Sequence, residues 1–284
     1  MTTANGLNRD GSNGATAALR RCVANVVVAL AIAARPARIH SSHPWQLTLR
    51  QLAIAAGAVV LVFLLVQLVA DAASINAVAH APRWLVWGFD QITDFGKSGW
   101  FLWPLGILFI VLATLPVLPR VPQLVLTSVM VRVGFLFAAI AVPGLFTNIV
   151  KHLFGRARPL VGGSLDPYLF SPLTWPAAYA SLPSGHAATV FSVLVAFGTL
   201  WPRTRTVLWI YALLIAVSRV MVTAHYPSDV LAGAVVGVAG AMLVRRYFAL
   251  RRLAFSVAPD GTVHQYPGPS FKRIKSVARE LLGQ

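Results

Sequence analysis

Three polar clusters interrupt an otherwise apolar sequence, and their side chains are of the kinds that bind anions and move protons. They read KHLFGRARP (Lys151–Pro159), PSGH (Pro183–His186) and SRVMVTAHYPSD (Ser218–Asp229). Lys151, Arg158 and Arg219 are three cations beside one carboxylate, Asp229. An arginine within an apolar span is costly without a partner, and a guanidinium matches phosphate oxygens bidentately. The excess of positive charge therefore predicts an anion site, with phosphate as the natural ligand.

The PSGH cluster stands immediately before an apolar run that predicts a helix. Ser184 and Gly185 would lie at the N-terminus of this helix, where free backbone N–H groups attract an anion. Gly185 has no side chain to obstruct the approach of a ligand to the backbone. We therefore expect a phosphate cradle at this point, with a proton donor, His186, attached to it.

Phosphoryl transfer also needs a nucleophile and a proton for the leaving oxygen, and two histidines can supply them. His225 and Asp229 are four residues apart, so they would share a helix face if a helix begins at HYPSD. The carboxylate would then hold His225 in the tautomer whose other nitrogen is free to attack. His186 would protonate the departing alcohol.

The clusters are poor in carboxylates, which bears on metal binding. Metal phosphatases gather several carboxylates around their ions, whereas Asp229 and at most Asp166 lie here among positive side chains. We therefore expect neither a metal nor another cofactor.

Two neighbouring residues leave alternatives open. His152 is either a second acid or, as we favour, an interfacial residue facing headgroups, and Arg156 either meets headgroup charge or caps a helix.

Long apolar runs must position these clusters. The 284-residue chain is 57% hydrophobic and 11% charged, with a mean hydropathy of +0.71, whereas a soluble domain has about 25% charged residues. This composition predicts an integral membrane protein of the all-α class with about six transmembrane helices. The six runs are Leu52–Ala70, Gly99–Leu118, Val133–Val150, Gly185–Trp201, Val207–Val222 and Val230–Val244.

The order of these runs would bring the three clusters to one side of a membrane. The first cluster follows the third run, and two runs separate the second cluster from the third. Basic residues crowd both ends of the chain, and the cytoplasmic bias of membrane proteins explains the net charge of +16 without nucleic-acid binding. We therefore expect both termini in the cytoplasm of a bacterium and the site on the inner membrane's outer, periplasmic face.

The sequence predicts three parts. Residues 1–50 would be a cytoplasmic, partly disordered segment, 51–250 the six-helix membrane domain, and 251–284 a basic cytoplasmic tail. Within the first part, RRCVANVVVALAIAARPA resembles a signal peptide, but an interfacial helix or cytoplasmic leader fits better because no separate translocated domain follows. The tail is either an amphipathic helix on an anionic leaflet or a solvated disordered segment.

Taken together, the clusters resemble the signature of the type 2 phosphatidic acid phosphatase superfamily, which is shared with vanadium haloperoxidases. That signature is K-x6-RP, then PSGH, then SR-x5-H-x3-D, and every position of it is filled. The resemblance covers roughly Phe95–Val244, and for the lipid-acting branch of the family it implies a helical bundle of six membrane helices.

The resemblance also implies roles for individual residues. The residues that would bind phosphoryl oxygens are Lys151, Arg158, Ser184, Gly185 and Arg219. The catalytic residues would be His225, which attacks and becomes a phosphohistidine, His186, which is the general acid, and Asp229, which orients His225.

These observations predict a membrane phosphatase that hydrolyses a lipid phosphate monoester or lipid pyrophosphate on the non-cytoplasmic face. Candidate substrates are phosphatidic acid, phosphatidylglycerol phosphate, undecaprenyl pyrophosphate and lipid A phosphate. One alternative is a phosphotransferase that uses the same site with a lipid acceptor. Another is an anion transporter or binding protein, which would not require the pairing of a nucleophile with an orienting carboxylate.

Overall fold

The computed structural model describes residues 48–115, 118–163 and 165–281, together with scattered positions between 16 and 37. The predicted N-terminal segment and its signal-like stretch therefore lie almost entirely outside the described residues. The described chain is predominantly helical, which confirms the predicted all-α class.

Nine α-helices and one small hairpin follow one another in the described part of the chain. The helices are α1 (Leu49–Val69), α2 (Asp71–Ala79), α3 (Arg83–Thr93), α4 (Gly99–Thr114), α5 (Arg120–Phe154), α6 (Gly185–Leu200), α7 (Arg205–Met221), α8 (Pro227–Leu250) and α9 (Phe271–Leu281). The strands β1 (Phe255–Val257) and β2 (Val263–Gln265) pair antiparallel between α8 and α9.

Five helical segments are long and apolar enough to cross a membrane. They are Leu49–Val69, Arg83–Thr114, Arg120–Phe154, Pro202–Met221 and Pro227–Leu250. The remaining predicted span corresponds to α6, which is apolar but has only 16 residues. These helices make the chain a multi-pass membrane protein.

Two of the spans differ by more than ten residues from the start predicted for them. The second begins at Arg83 because α3, a 3-10 turn and α4 follow one another closely. The third was expected to begin after Arg132, but α5 runs for 35 residues, about 52 Å at 1.5 Å per residue. Arg132 is tolerated inside α5 because its Nη2 donates to the Tyr266 carbonyl at 2.9 Å.

The described residues form two compact units. One contains Trp103–Phe135 and the chain from Tyr247 onward. In this unit the ring of Phe135 contacts the rings of Phe248 and Phe255, with centroids 5.5 and 4.8 Å away. Its tail forms α9 rather than a disordered segment, and Val277 is the buried residue of that helix.

The other unit, Ser41–Leu102 with Leu136–Arg246, contains all three polar clusters. Its core centres on α6, where Val190, Phe191 and Leu194 pack against Ala212 and Ile215 of α7. A short helix suffices here because α6 is surrounded by protein on most of its faces, as its all-round apolar sequence requires.

Glycines let α8 approach α6 closely. A Cβ added to Gly233 would lie 2.3 Å from the Ser184 carbonyl oxygen, and one added to Gly237 would lie 2.4 Å from that of Ala188. Both distances are too short for any larger residue. The GAVVG motif of α8 is thus a helix-packing motif, and it fixes the start of α6 beside the start of α8.

Candidate active site

The first polar cluster is shaped by the end of α5. Gly155 has φ of +60°, and a Cβ there would lie 1.7 Å from the Ser171 carbonyl oxygen, so glycine is needed to terminate the helix and turn the chain. The Ala157 amide then donates to Leu169 O at 2.9 Å, and the Arg158 amide donates to Ala178 O at 2.8 Å. The returning loop therefore fixes the backbone that carries the arginines.

The second cluster is joined to the third through the backbone. Ser184 is the N-cap of α6, and its amide donates to the Asp229 carbonyl at 2.9 Å. A Cβ at Gly185 would lie 3.8 Å from Nζ of Lys151, so the lysine of the first cluster stands over the start of α6. The structure thus brings parts of all three clusters together.

Arg219 is held near the C-terminal end of α7 by Thr93, a residue outside the three polar clusters. Its Nη1 donates to Thr93 Oγ1 at 2.6 Å, and Ser218 Oγ donates to the same oxygen at 2.9 Å. After α7, the chain turns so that the His225 amide donates to the Arg219 carbonyl at 3.2 Å. This turn sets the histidine beside the arginine.

His225 is buried, with 3% of its surface exposed. Its Nδ1 lies 2.8 Å from the Ser181 carbonyl oxygen, which can only accept, so we assign the ring proton to Nδ1 and the lone pair to Nε2. Burial, followed by the positive charges of Arg219 and Arg158, lowers the pKa of His225 well below its ordinary value. The neutral imidazole is therefore the stable form.

The carboxylate of Asp229 contacts His225 less directly than the spacing predicted. Nδ1 of His225 is 3.9 Å from Oδ2 of Asp229, longer than a hydrogen bond. Ser181 lies between them: its hydroxyl donates to Asp229 at 2.6 Å, and its carbonyl oxygen accepts a hydrogen bond from Nδ1 of His225. The expected helical pairing fails because α8 begins at Pro227, so His225 precedes the helix.

Asp229 is instead part of a buried ionic network around Arg156. Nη1 of Arg156 donates to Asp229 Oδ1 at 2.6 Å, and Nη2 donates to Asp71 Oδ2 at 2.8 Å. All three side chains are 0% exposed. Asp71 also accepts from the Ser228 amide and hydroxyl, at 2.9 and 2.5 Å. One guanidinium thus holds two carboxylates and the first turn of α8.

The expectation for Arg156 was therefore wrong in both its forms. The residue neither faces headgroups nor caps a helix, because the loop folds it inward, where its Nε and Nη2 also donate to the Pro167 carbonyl. Its guanidinium carbon lies 4.6 Å from the centre of the Tyr226 ring. Asp71, which reads as an ordinary loop charge after the first span, is its second partner. An aspartate directly after an apolar span is the one sequence signal that could have suggested a buried role.

Several buried polar atoms of the site have no hydrogen-bond partner within the described chain. They are Nε of Arg158, Oγ of Ser184, Nε2 of His186 and Nε of Arg219. Buried polar atoms are normally satisfied, so a group of such atoms around one histidine is suited to an oxygen-rich ligand. Three of them, those of Arg158, Ser184 and Arg219, can donate to phosphoryl oxygens.

Two further points concern the possible metal ligands and the surroundings of His152. In the ranges that the structure describes, no three His, Cys, Asp or Glu residues are placed to hold a metal ion. The His152 ring lies 4.9 Å from the Trp175 ring, and its Nδ1 is 3.2 Å from the Thr174 carbonyl. His152 therefore packs against the loop that follows the first cluster.

Comparison with known proteins adds independent information. The PAP2 superfamily model matches residues 132–253, a range that includes all three clusters. A lipid A 1-phosphatase of Rhizobium johnstonii is 35% identical over 174 residues, covering 61% of this chain and 71% of that protein. A lipid A 1-phosphatase of Rhizobium etli is 40% identical over 128 residues, covering 45% of this chain and 55% of that protein.

One crystal structure is also among the matches. It is that of a transmembrane PAP2-type phosphatidylglycerolphosphate phosphatase from Bacillus subtilis, with 20% identity and a TM-score of 0.44, covering 79% of this chain and 94% of that one. The family resemblance seen in the three clusters is confirmed by the family model and by the 35% identity across 71% of the first relative. The chain belongs to the PAP2 superfamily, and it is a phosphatase, a hydrolase of phosphate esters.

Proposed function

We propose that the protein removes phosphate from a membrane lipid through a covalent phosphohistidine at His225. The observation that carries this proposal is the state of that side chain. His225 is buried and neutral, its Nδ1 is held by the Ser181 carbonyl, and Arg158 and Arg219 are close enough to lower its pKa. A lone pair on Nε2 beside two guanidinium groups is the arrangement that attack on a phosphoryl group requires.

The reaction proceeds in two balanced steps. In the first, Nε2 of His225 attacks phosphorus, the P–O bond to the lipid breaks, and His186, which is protonated once the bound phosphate offsets the neighbouring cations, gives its proton to the leaving oxygen. In the second, water attacks phosphorus, neutral His186 takes a proton from that water, and the P–Nε2 bond breaks, which releases inorganic phosphate and returns the lone pair to Nε2. Lys151, Arg158 and Arg219, with Ser184 and the amide of Gly185, neutralise and position the phosphoryl oxygens in both steps.

The network around Arg156 supports the charge changes at His225. When Nε2 bonds to phosphorus, the ring becomes cationic while Nδ1 keeps its proton. Ser181 connects that ring to Asp229, and the group of one arginine and two aspartates carries a net negative charge. Asp229 would therefore stabilise the cation through Ser181 rather than by direct contact.

The substrate is a lipid phosphate in this proposal because the site belongs to a chain of membrane-spanning helices, and because two relatives are lipid A 1-phosphatases. Lipid A phosphate is therefore the favoured candidate over phosphatidic acid, phosphatidylglycerol phosphate and undecaprenyl pyrophosphate. Purified protein, given these four lipids in turn, is expected to release inorganic phosphate from at least one. Transfer of the phosphoryl group to a second lipid, with no free phosphate, would instead support the phosphotransferase alternative, and binding without turnover the transporter.

The site is proposed to face the periplasm of a bacterium, with both termini in the cytoplasm. Reporter domains fused at residues 165 and 260 are expected to give opposite sides, because the loop that contains residue 165 carries the site and the region around residue 260 belongs to the basic tail. Fusions that report the same side would contradict this topology.

Catalysis is expected to be independent of metal ions, since the phosphate-binding groups are cationic side chains. Activity should survive EDTA, and vanadate, which mimics phosphate, should inhibit by competing for the same donors. Loss of activity on chelation, with recovery on addition of magnesium, would show that a metal ion replaces part of the charge assigned to these residues.

The acid limb of the pH profile is expected to reflect the buried state of His225. Because burial depresses its pKa, His225 stays neutral as the pH falls through about 6.5, where an ordinary histidine gains its proton. Profiles of kcat/KM with two aryl phosphates of different second pKa separate substrate ionisation from that of the enzyme. An acid limb near pH 6.5 that is identical for both substrates would contradict a neutral, buried nucleophile.

A further inference from the structure

The short turn that joins α3 to α4 contacts two residues of the candidate active site. This α3–α4 turn comprises residues 93–97 and contains one 3-10 helix, Asp94–Gly96. It lies outside the three polar clusters and outside residues 132–253, the range that the family model matches. Its two buried residues are Thr93 and Gly96, and each of them contacts a different side chain of the site.

Gly96 lies directly against the ring of His186. A Cβ added to Gly96 would lie 2.8 Å from Cδ2 of His186 and 2.5 Å from Cγ2 of Ile215, and both distances are too short for a larger residue. Cδ2 is the ring carbon bonded to Nε2, the nitrogen of His186 that has no hydrogen-bond partner within the described chain. Because the backbone of Gly96 blocks one side of the ring, it limits the directions in which Nε2 can point.

Thr93 fixes the orientation of the guanidinium of Arg219. The threonine is 5% exposed, and its Oγ1 accepts a hydrogen bond from Nη1 of Arg219 at 2.6 Å. A guanidinium is planar, so a bond at one nitrogen restricts the directions of the other N–H groups. Nε of Arg219 has no partner in the described ranges, and the bond to Thr93 therefore leaves it available to donate to a phosphoryl oxygen.

The turn is itself anchored, so it can serve as a fixed support. Tyr211 of α7 donates through its hydroxyl to the Phe95 carbonyl at 2.7 Å, and the Trp100 indole donates to the Asp94 carbonyl at 3.1 Å. Arg219 is also part of α7, so the turn and the arginine are held by the same helix. A displacement of the turn would therefore move the supports of the arginine and the histidine together.

We infer that the α3–α4 turn is a positioning element for phosphoryl transfer, in which Gly96 orients the general acid and Thr93 orients the arginine. Neither residue touches the substrate. The inference rests on the proposed function, because it takes His186 as the proton donor and Arg219 as a phosphate ligand. The donor nitrogen must meet the leaving oxygen while the guanidinium meets the phosphoryl oxygens, and a misplacement of about 1 Å is enough to slow such a reaction greatly.

Gly96→Ala tests the contact with His186, because the added methyl group must push the ring aside. Turnover of a lipid phosphate, whose leaving alcohol needs a proton, is expected to fall at least about tenfold, and turnover of an activated aryl phosphate less than about threefold. A purely structural defect would lower both rates alike. Gly88→Ala is the matched control, since a Cβ at Gly88 of α3 meets nothing within 4 Å, and both rates should equal those of the wild type.

Thr93→Val tests the contact with Arg219 independently of the glycine variant. Valine has nearly the same shape as threonine but cannot accept the hydrogen bond, so inhibition by inorganic phosphate is expected to weaken by about tenfold. Lipid and aryl phosphates should be affected alike, because both present the same phosphoryl oxygens. Thr93→Ser keeps the hydroxyl group, and inorganic phosphate should inhibit it as it inhibits the wild type.

Melting temperatures in detergent show which variants are folded. Folded Gly96→Ala protein with wild-type rates, or with equal losses for the two kinds of substrate, would overturn the inference. So would Thr93→Val protein that inorganic phosphate inhibits as strongly as the wild type, and this result would decide the matter if Gly96→Ala did not fold. Failure of the proposed function would appear separately, as wild-type protein that releases phosphate from none of the four lipids.

Discussion

His225→Ala is expected to reduce kcat/KM for phosphate release by at least about 10⁴-fold, because it removes the attacking nitrogen and no other nucleophile replaces it in the site. The loss should be the same for lipid phosphates and for activated aryl phosphates, since both require attack at phosphorus. Initial rates of phosphate release by purified protein measure the effect, and the variant should remain folded because alanine replaces a side chain without creating a buried charge.

His186→Ala provides the informative comparison, since a general acid matters most when the leaving group is poor. Its rate should fall steeply with a lipid alcohol as leaving group and much less with an aryl phosphate. His264→Ala, in the exposed part of β2, should leave both rates unchanged. If His186→Ala abolished both rates equally while His225→Ala retained aryl phosphate turnover, the roles of the two histidines would be reversed.

Arg156→Gln is expected to have the second large effect, on both stability and activity. It leaves Asp71 and Asp229 buried without their shared cation, and breaking a buried ion pair in this way costs about 3–5 kcal/mol. Thermal unfolding in detergent should show a large drop in melting temperature. Activity should fall as well, because Asp229 and the first turn of α8 would lose the contacts that fix Ser181 and His225.

Two further variants separate charge from geometry. Arg156→Lys keeps a positive charge but cannot reach both carboxylates with a planar fork. Compared with Arg156→Gln, it should therefore recover part of the stability and a smaller part of the activity. Adding Asp71→Asn to Arg156→Gln should recover stability, because one of the two facing carboxylates is removed. Arg203→Gln, at an exposed position, is the surface control. If Arg156→Gln protein had the same melting temperature as the wild type, the network would not be what holds the site together.

The parts of the site that sequence could predict are local. The apolar runs follow from hydropathy, and the three clusters follow from residue types at short, fixed spacings, so Lys151, Ser184, Gly185 and Arg219 could be proposed from the sequence alone. The structure then places Lys151 over Gly185 and joins Ser184 to Asp229 through the backbone. Which of these residues perform catalysis remains a prediction.

The parts that escaped prediction depend on contacts between distant residues. Arg156 and Asp71 are 85 positions apart, and nothing in either local sequence indicates that they meet. Thr93 holds Arg219 across 126 positions. Ser181 comes between His225 and Asp229 because α8 begins at Pro227, two residues after His225, so the two side chains do not share a helical face. The start of a helix is difficult to predict within one or two residues, and proline is well suited to its first turn.

Trapping of the covalent intermediate is the most direct test of the central claim, that phosphate release passes through His225. Wild-type protein is mixed with a phosphorus-labelled substrate, quenched rapidly, digested and mapped under conditions that preserve phosphohistidine. The label is expected on the peptide that contains His225, to turn over when unlabelled substrate is added, and to be absent from His225→Ala. A label that persists in His225→Ala, or that maps to another residue in the wild type, would contradict the account.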